Sequence, residues 1–371
     1  MKIVINALQF KRNSSGIGVM IRDLLGTFTF VTKRRCRIIV PKDAPAFACS
    51  ADTEIVPIPY DHKQGLRRIW YQTVQLGRRY GRDAVLLVTD SKMPFFLPKS
   101  CVAVPLITDL AVYRMPEVYK ASRVLLWKLQ YAYVKRRANL FLTISEFSKG
   151  EITELLHIPP ERVHVVPCAC AETMGRITEP EALSRLREKY GLPEQFVLFV
   201  GNTNPRKNLR RLAQAFDLAK EQGLPHRLVI AGEQGWKFDR EDALKGLKHP
   251  EDVCFIGFVP DEDMPALYSA ASLFAFPALY EGFGIPVLEA QACGTPVLTS
   301  SCSSLPEVGG DAAVYVDPYD ENAIRDGMLK LLWDPALAAS LVEKGYENVR
   351  RFSWEKSAVL LNEILERNLL S

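Results

Sequence analysis

Two carboxylates in the second half of the chain bracket a glycine-containing loop. Glu281 and Glu289 flank Gly282-Phe283-Gly284, and Pro286 follows at the start of a predicted helix. Glycine lets a backbone approach a ligand closely, and proline suits a first helical turn. The free N–H groups of such a turn bind phosphate. This arrangement is typical of a nucleotide-sugar site, with Glu281 at the sugar, the amides at the diphosphate and Glu289 at the ribose.

A second motif offers two cations to the same ligand. An apolar strand predicted at 196–200 ends in Gly201-Asn-Thr-Asn-Pro-Arg206-Lys207-Asn208, and a helix follows. Arg206 and Lys207 thus lie at the C-terminal end of a strand, where open α/β sheets bind ligands. Paired cations suit a diphosphate, because arginine presents a planar fork and lysine a point charge. Each motif alone fits ordinary surface residues, whereas the two together favour one shared ligand.

Five motifs together resemble those of one enzyme family. They are Glu281-x7-Glu289, the Gly201…Arg206-Lys207-Asn208 turn, Gly16-Ile17-Gly18, Ser145-Glu-Phe-Ser148 and Phe352-Ser353-Trp354. The chain resembles, over nearly its whole length, the retaining family-four glycosyltransferases of the GT-B type. One departure is Thr108-Asp109, since the family often has a His-Asp pair there and the histidine usually touches the donor sugar.

The resemblance assigns roles to individual residues. It implies that catalysis involves Glu281, Arg206, Lys207 and Asp109. It also implies that neither a metal ion nor a cofactor is required, because the cations and the helix start neutralise the leaving diphosphate. The residues that it places around the donor are Gly16, Gly18, Arg206, Lys207, Glu281, Phe283, Gly284, Ile285 and Glu289.

Short strands alternate with helical stretches, which is typical of parallel α/β sheets. We expect an α/β fold of two Rossmann-like domains facing across a cleft (GT-B), with a C-terminal helix that crosses back to the N-terminal domain. The expected parts are an acceptor-binding domain 1–172, a linker 173–194, a nucleotide-sugar-binding domain 195–350 and the helical segment 351–371. Strands are predicted at 2–6, 37–40, 84–88, 102–108, 140–144, 163–166, 196–200, 227–231, 253–256, 273–275, 296–299 and 313–316.

Charge is distributed unevenly along the 371 residues, whose net charge is +4. Residues 1–172 carry +12 and the remainder −8. A basic half favours an anionic membrane surface or a diphosphate-bearing acceptor. The basic, amphipathic stretch 66–79 could lie in a membrane interface or pack on the N-terminal sheet. Nucleic acid is not expected as a partner, because no nucleic-acid-binding motif is recognisable.

Other patterns argue against competing classes. No apolar run reaches the ~20 residues of a spanning helix and no signal segment leads the chain, so we expect a cytoplasmic protein, peripheral at the inner face of the membrane. The eight scattered cysteines are expected to be reduced thiols. Ile21 stands where a dinucleotide fingerprint needs its third glycine, which disfavours NAD. Asp261-Glu-Asp263 is expected to cap a helix rather than bind a metal.

The resemblance therefore implies a retaining, metal-independent hexosyltransferase that uses a nucleotide-diphospho-sugar. The chain looks most like bacterial enzymes of surface-polysaccharide or lipopolysaccharide assembly, several of which use GDP-mannose. GDP-mannose is therefore the first candidate donor, and the expected acceptor is a saccharide or a lipid-linked saccharide. Two alternatives remain. A sugar-nucleotide epimerase shares the architecture, and a non-catalytic nucleotide-sugar binder is suggested by Thr108.

Overall fold

The fold is described from a computed structural model, which covers residues 1–10, 17–89, 92–235 and 239–370. The chain divides into two compact units. The first is Met1–Cys168 with Ser353–Ser371, and the second is Ala169–Phe352. Each unit is built on a sheet of parallel strands, as the alternation of apolar runs and helical stretches predicts.

The first unit has the strand order β3-β2-β1-β4-β5, with β6 and β7 paired separately. Its central strands are apolar and buried on both faces, which is typical of parallel sheets covered by helices. A π-helical turn (Ile21–Leu25) joins α1 to α2, and a second (Tyr71–Gln75) joins α3 to α4. The elements are β1 (Lys2–Asn6), α1 (Ile17–Met20), α2 (Gly26–Val31), β2 (Cys36–Val40), β3 (Glu54–Pro57), α3 (Gly65–Trp70), α4 (Leu76–Tyr80), β4 (Ala84–Val88), β5 (Val102–Pro105), α5 (Ala111–Arg114), α6 (Ala121–Arg137), β6 (Phe141–Thr143), α7 (Glu146–Leu156) and β7 (Val163–Val165).

The second unit has the strand order β10-β9-β8-β11-β12-β13. This is the 3-2-1-4-5-6 order of a Rossmann sheet, in which the order reverses between the first and fourth strands. Here those neighbours are β8 and β11. The elements are α8 (Pro180–Tyr190), β8 (Phe196–Val200), α9 (Leu209–Lys220), β9 (Arg227–Ala231), α10 (Arg240–Leu244), β10 (Val253–Gly257), α11 (Met264–Ala270), β11 (Leu273–Phe276), α12 (Ile285–Ala292), β12 (Val297–Ser300), α13 (Leu305–Gly309), β13 (Val314–Val316), α14 (Glu321–Trp333) and α15 (Pro335–Val349).

The last helix, α16 (Trp354–Leu365), returns to the first unit and packs on α2. Ser353 caps it by accepting a hydrogen bond from the Lys356 N–H. A π-helical turn (Glu366–Leu370) follows, and Glu366 forms a two-pronged ion pair with Arg34 at 2.8–2.9 Å. Burial of one face of α16 and this ion pair together hold the end of the chain against the first unit.

Apart from shifts of one or two residues at the ends of strands, the structure differs from the sequence-based expectations in four places. The edge strand β3 was not predicted, because it is short and mostly exposed and because Pro57 and Pro59 interrupt the pattern of a strand. The strand predicted at 102–108 ends at Pro105. The segment 173–194, expected to be a linker, contains α8 and belongs to the second unit. Asp263 precedes α11 but does not cap it, because its carboxylate instead binds Lys189 and Tyr190.

Two further features of the fold concern membrane-spanning helices and the state of the cysteines. Among the residues that the structure describes, no helix combines the length and the apolar composition needed to cross a bilayer. All eight cysteines lie in the described ranges and are free thiols.

Candidate functional site

The predicted cations and carboxylates lie in loops that follow β8 and β11. These two strands are neighbours at the position where the strand order of the second unit reverses. In open parallel sheets this is the place where ligands bind, because the loops on its two sides diverge and leave a crevice. The structure therefore brings the Arg206-Lys207 motif and the Glu281–Glu289 motif to one edge of one sheet.

Asn208 ties the cation loop to the loop after β11. Its backbone adopts a left-handed conformation (φ 60°), and its side-chain amide donates to the Pro277 and Pro318 carbonyls at 2.9 and 2.7 Å. The Arg206 carbonyl accepts a further hydrogen bond from the Leu279 N–H at 2.8 Å. The bonds from Asn208 to Pro277 and from Leu279 to Arg206 thus fix the cation loop relative to the loop after β11, and the bond to Pro318 ties it to the segment after β13.

Lys207 and Glu281 form the centre of the site. Lys207 Nζ lies 2.7 Å from Glu281 Oε1, and each side chain is only 12% exposed. The ammonium also lies 4.5 Å from the centroid of the Phe276 ring. A buried lysine needs a counter-charge, since burying an isolated charge is costly. Glu281 therefore supplies the counter-charge of Lys207 and fixes the direction of its side chain.

Two serines that the sequence reasoning missed support the loop 281–283. Ser303 Oγ accepts from the Glu281 N–H at 3.2 Å, and Ser304 Oγ lies 2.9 Å from the Glu281 carbonyl and 2.7 Å from the Phe283 carbonyl. Ser303 has a left-handed φ of 57°, which is uncommon for serine and recurs at functional sites. The run of serines directly after β12 is the sequence feature that could have indicated these two residues. The Phe283 ring is buried against Phe352, so this residue can offer a ligand only its backbone.

Gly284 begins α12 and has no room for a side chain. Its φ is +110°, and a Cβ there would lie 2.7 Å from Leu305 Cδ2. Val287 N–H is used in a turn to the Gly284 carbonyl, and Pro286 has no N–H. The N–H groups of Gly284 and Ile285 are therefore the donors that the start of α12 can aim at an anion.

Glu289 lies on α12, one helical turn after Ile285. Tyr268, on α11, donates a hydrogen bond from its hydroxyl to Glu289 Oε2 at 2.8 Å. Loss of hydration raises the pKa of Glu289 to about 7; the Tyr268 bond and Lys207 act to lower it, whereas Asp261 acts to raise it. Burial also raises the pKa of Tyr268 well above its usual value, so this side chain stays a donor.

A glycine pair after β9 completes this edge of the sheet. Gly232 has a φ of +139°, and a Cβ on it would collide with the Gly201 carbonyl. A Cβ on Gly235 would lie 2.7 Å from the Asn204 nitrogen. The loops after β8 and β9 therefore touch backbone to backbone. The sequence reasoning missed this loop, although Gly-x-x-Gly directly after a strand was a visible signal.

The remaining predicted residues belong to the first unit. Gly18 lies in α1, whereas Gly16 lies outside the described residues. Asp109 follows β5, and its Oδ1 accepts from the Ala111 N–H at 3.0 Å. The Thr108 carbonyl accepts from Ser148 Oγ at 3.3 Å, which ties this loop to α7. The catalytic assignment of Asp109 stays a prediction.

One group of side chains in the described ranges has the spacing of metal ligands, namely His249, Glu251 and Asp252. Asp252 is already paired with Lys220 at 2.9 Å and with Arg227 at 3.4 Å. This group follows α10, away in sequence from the loops of the candidate site.

Comparison with known proteins identifies the family to which these motifs belong. The family of glycosyl transferases group 1 matches residues 184–348, which include both motifs. O-antigen chain mannosyltransferase B of Escherichia coli is 37% identical over 265 residues, covering 70% of this chain and 69% of its own.

Solved structures share the fold at low sequence identity. Sucrose-phosphate synthase of Thermosynechococcus elongatus superposes with a TM-score of 0.76 at 18% identity, covering 99% of this chain and 98% of its own. HepE of Anabaena, solved with UDP and glucose, gives a TM-score of 0.74 at 18% identity and covers 99% of each chain. From the matched family, the relative and the shared architecture it follows that this chain belongs to the group 1 glycosyltransferases and has their GT-B fold of two Rossmann-like domains.

Proposed function

We propose that the protein is a retaining hexosyltransferase that moves a sugar from a nucleotide-diphospho-sugar to a saccharide or lipid-linked saccharide acceptor. The buried Lys207–Glu281 pair, with Glu289 further along α12, is the observation that carries the proposal. We assign Lys207 to the diphosphate, Glu281 to the sugar hydroxyls and Glu289 to the ribose. The donor is bound by the second unit and the acceptor by the first.

Mannose is the first candidate sugar and GDP the first candidate nucleotide. The relative that supports mannose is named as an O-antigen chain mannosyltransferase and is 37% identical to this chain. HepE, which was solved with UDP and glucose, supports a nucleotide-sugar donor in general. We place the reaction in the assembly of a bacterial surface polysaccharide, at the cytoplasmic face of the membrane.

The site residues act on the leaving diphosphate. As the bond to the sugar breaks, negative charge grows on the phosphate oxygen, and fixed cations and dipoles stabilise that charge. Arg206, Lys207 and the N–H groups of Gly284 and Ile285 supply them without a metal ion. Glu281 directs Lys207 and meets the sugar hydroxyls. The acceptor attacks from the face that the diphosphate leaves, and the departing phosphate takes the acceptor proton.

Product analysis tests the proposal against both alternatives. The protein is incubated with GDP-mannose, and in parallel with UDP-glucose, with and without lipid-linked glycan acceptors. A transferase forms a new glycoside, whose anomeric configuration is read by NMR and is retained. Conversion of the donor alone identifies an epimerase. Nucleotide binding without either product identifies a binder, and inversion at the anomeric carbon contradicts the retaining mechanism.

A further inference from the structure

Two helical stretches of the first unit present apolar side chains to solvent. On α3, Leu66 is 86% exposed, Ile69 39% and Trp70 48%. Their spacing places them on one stripe that continues to Thr73 in the π-helical turn after α3. Exposed leucine and tryptophan side by side are unusual on a soluble surface and mark interaction sites.

The first half of α6 presents a second apolar stripe. Leu125, Leu126 and Leu129 are each 61–62% exposed, and no residue of 121–130 is buried. Tyr133 follows Leu129 by four residues, one turn or about 6 Å along the same face. The helix is anchored only further on, where Tyr131 and Val134 are buried.

The two stripes meet at Phe95. Its N–H donates to the Thr73 carbonyl at 2.8 Å, at the end of the first stripe. Its ring lies 5.3 Å from the ring of Tyr133, at the end of the second. Phe95 is 53% exposed and Phe96 47%, and the guanidinium of Arg78 lies 4.0 Å from the Phe96 ring. The three segments are therefore neighbours, and their exposed apolar side chains belong to one region of the surface.

This surface is also strongly basic. The segments 65–80, 92–99 and 121–137 contain four, two and five Lys or Arg residues and no Asp or Glu. A two-fold dimer through this surface would place each cationic patch against its own copy. An anionic bilayer surface complements the same patch in charge and accepts leucine, phenylalanine and tryptophan at its interface.

We infer that the surface formed by 65–80, 92–99 and 121–137 docks the protein on an anionic lipid bilayer. The exposed apolar side chains enter the headgroup region, and the Lys and Arg side chains contact lipid phosphates. This inference deepens the proposed function, on which it rests, because a lipid-linked acceptor has to be reached at such a surface. The docking face and the donor site belong to different units, so they can be changed separately.

The inference is tested by measuring how the wild type and variants of the docking surface bind to lipid vesicles. The wild type is expected to co-sediment with vesicles of phosphatidylcholine and phosphatidylglycerol at low salt and to release at high salt, since charge attraction is screened over ~10 Å at 0.1 M. Trp70→Ser and the double variant Leu125→Ser/Leu129→Ser are expected to weaken binding about tenfold or more, because each removes inserted apolar surface. The matched control is Trp333→Ser, an equally exposed tryptophan of the second unit, which should bind as the wild type does.

Three outcomes overturn the inference. They are absence of binding to anionic vesicles, equal loss in the Trp333→Ser control, and a concentration-dependent dimer in sedimentation that the face variants abolish. Melting temperatures check that the variants fold, as expected for exposed positions. Sugar transfer to a soluble acceptor is measured on the same proteins and should be unchanged by the face variants. A wild-type protein that transfers sugar but does not bind anionic vesicles contradicts only the docking surface, whereas a wild-type protein that binds vesicles but transfers no sugar contradicts only the proposed function.

Discussion

The hydroxyl of Tyr268 donates a hydrogen bond to Glu289 Oε2 at 2.8 Å. It joins α11 to α12, and Tyr268 is itself buried beneath the site. Thr295 Oγ1 donates in turn to the Tyr268 carbonyl at 2.7 Å. The direction of the Glu289 carboxylate is thus set by the packing of the sheet rather than by solvent.

Tyr268→Phe should move the pH dependence of donor binding to higher pH. The Tyr268 bond lowers the pKa of Glu289, so its loss leaves burial to raise that pKa further. A hydrogen bond to a charged group contributes about 1.5–3 kcal/mol, so the donor Kd at pH 7 should rise about tenfold or more. Calorimetric titration with the nucleotide between pH 6 and 9 measures both effects. Tyr315→Phe, which removes a tyrosine bond to the Gly310 carbonyl, is the control and should leave the profile unchanged.

Glu289→Gln should change how stability depends on pH. In the native protein the pKa of Glu289 is raised to about 7 from the usual 4.5, so the folded state holds a proton that the unfolded state releases. The stabilisation is complete below pH 4.5 and is lost as the pH rises through about 7. Melting temperatures between pH 4.5 and 8 should fall more steeply for the wild type than for Glu289→Gln. The exposed Glu343→Gln should follow the wild type, and identical slopes in all three proteins would contradict the shifted pKa.

Arg206→Ala and Glu289→Ala should separate turnover from binding. Charge on the leaving diphosphate grows towards the transition state, so Arg206→Ala should lower kcat by ~10²–10³. A ribose contact is similar in the ground and transition states, so Glu289→Ala should raise the donor KM about tenfold with little change in kcat. Steady-state kinetics measure both. Arg210→Ala, at an exposed arginine of α9, is the control, and an unchanged donor KM in Glu289→Ala would disprove the ribose assignment.

Transfer should survive chelation. In the proposed mechanism Arg206, Lys207 and the first N–H groups of α12 supply the positive charge that a metal ion would otherwise bring to the diphosphate. Initial rates with and without EDTA should agree. Complete loss of activity that magnesium or manganese restores would disprove the metal-independent mechanism.

Ser304→Ala should weaken donor binding through the loop 281–283. The substitution removes the hydroxyl that bonds the Glu281 and Phe283 carbonyls, at a cost of about 1 kcal/mol. The donor KM should rise several-fold, while Lys207 and Glu281 remain present. Ser357→Ala removes a buried serine bond to the Pro167 carbonyl in the first unit and controls for general destabilisation. Equal donor KM values in the two variants would show that Ser304 does not position the loop.

The central strands and the two site loops could be predicted from local patterns. Phe196–Val200 and Arg227–Ala231 begin and end as predicted, because a buried parallel strand reads as an unbroken apolar run. The start of α12 was visible because Gly284 and Pro286 carry the backbone chemistry of a helix start. Patterns of this kind involve residues that are close together in the chain, so they can be recognised in a single sequence.

Contacts between distant segments could not be predicted in this way. Tyr268 meets Glu289 across 21 positions, and the Lys207–Glu281 pair joins two loops separated by three helices and three strands. Nothing local to Tyr268 distinguishes it from an ordinary core tyrosine. The edge strand β3 was missed for the opposite reason, because its pairing with β2 depends on backbone hydrogen bonds and little on apolar side chains.

The return of α16 to the first unit sets an order for folding during synthesis. The second unit is one continuous stretch, Ala169–Phe352, and leaves the ribosome complete. The synthesis of the first unit begins earlier. Leu24 and Leu25 nevertheless stay uncovered until α16, which carries Leu361, has been made. The half of the protein that is made first is therefore finished last. Until α16 is made, these leucines add to the exposed apolar surface that makes an incomplete chain prone to aggregate.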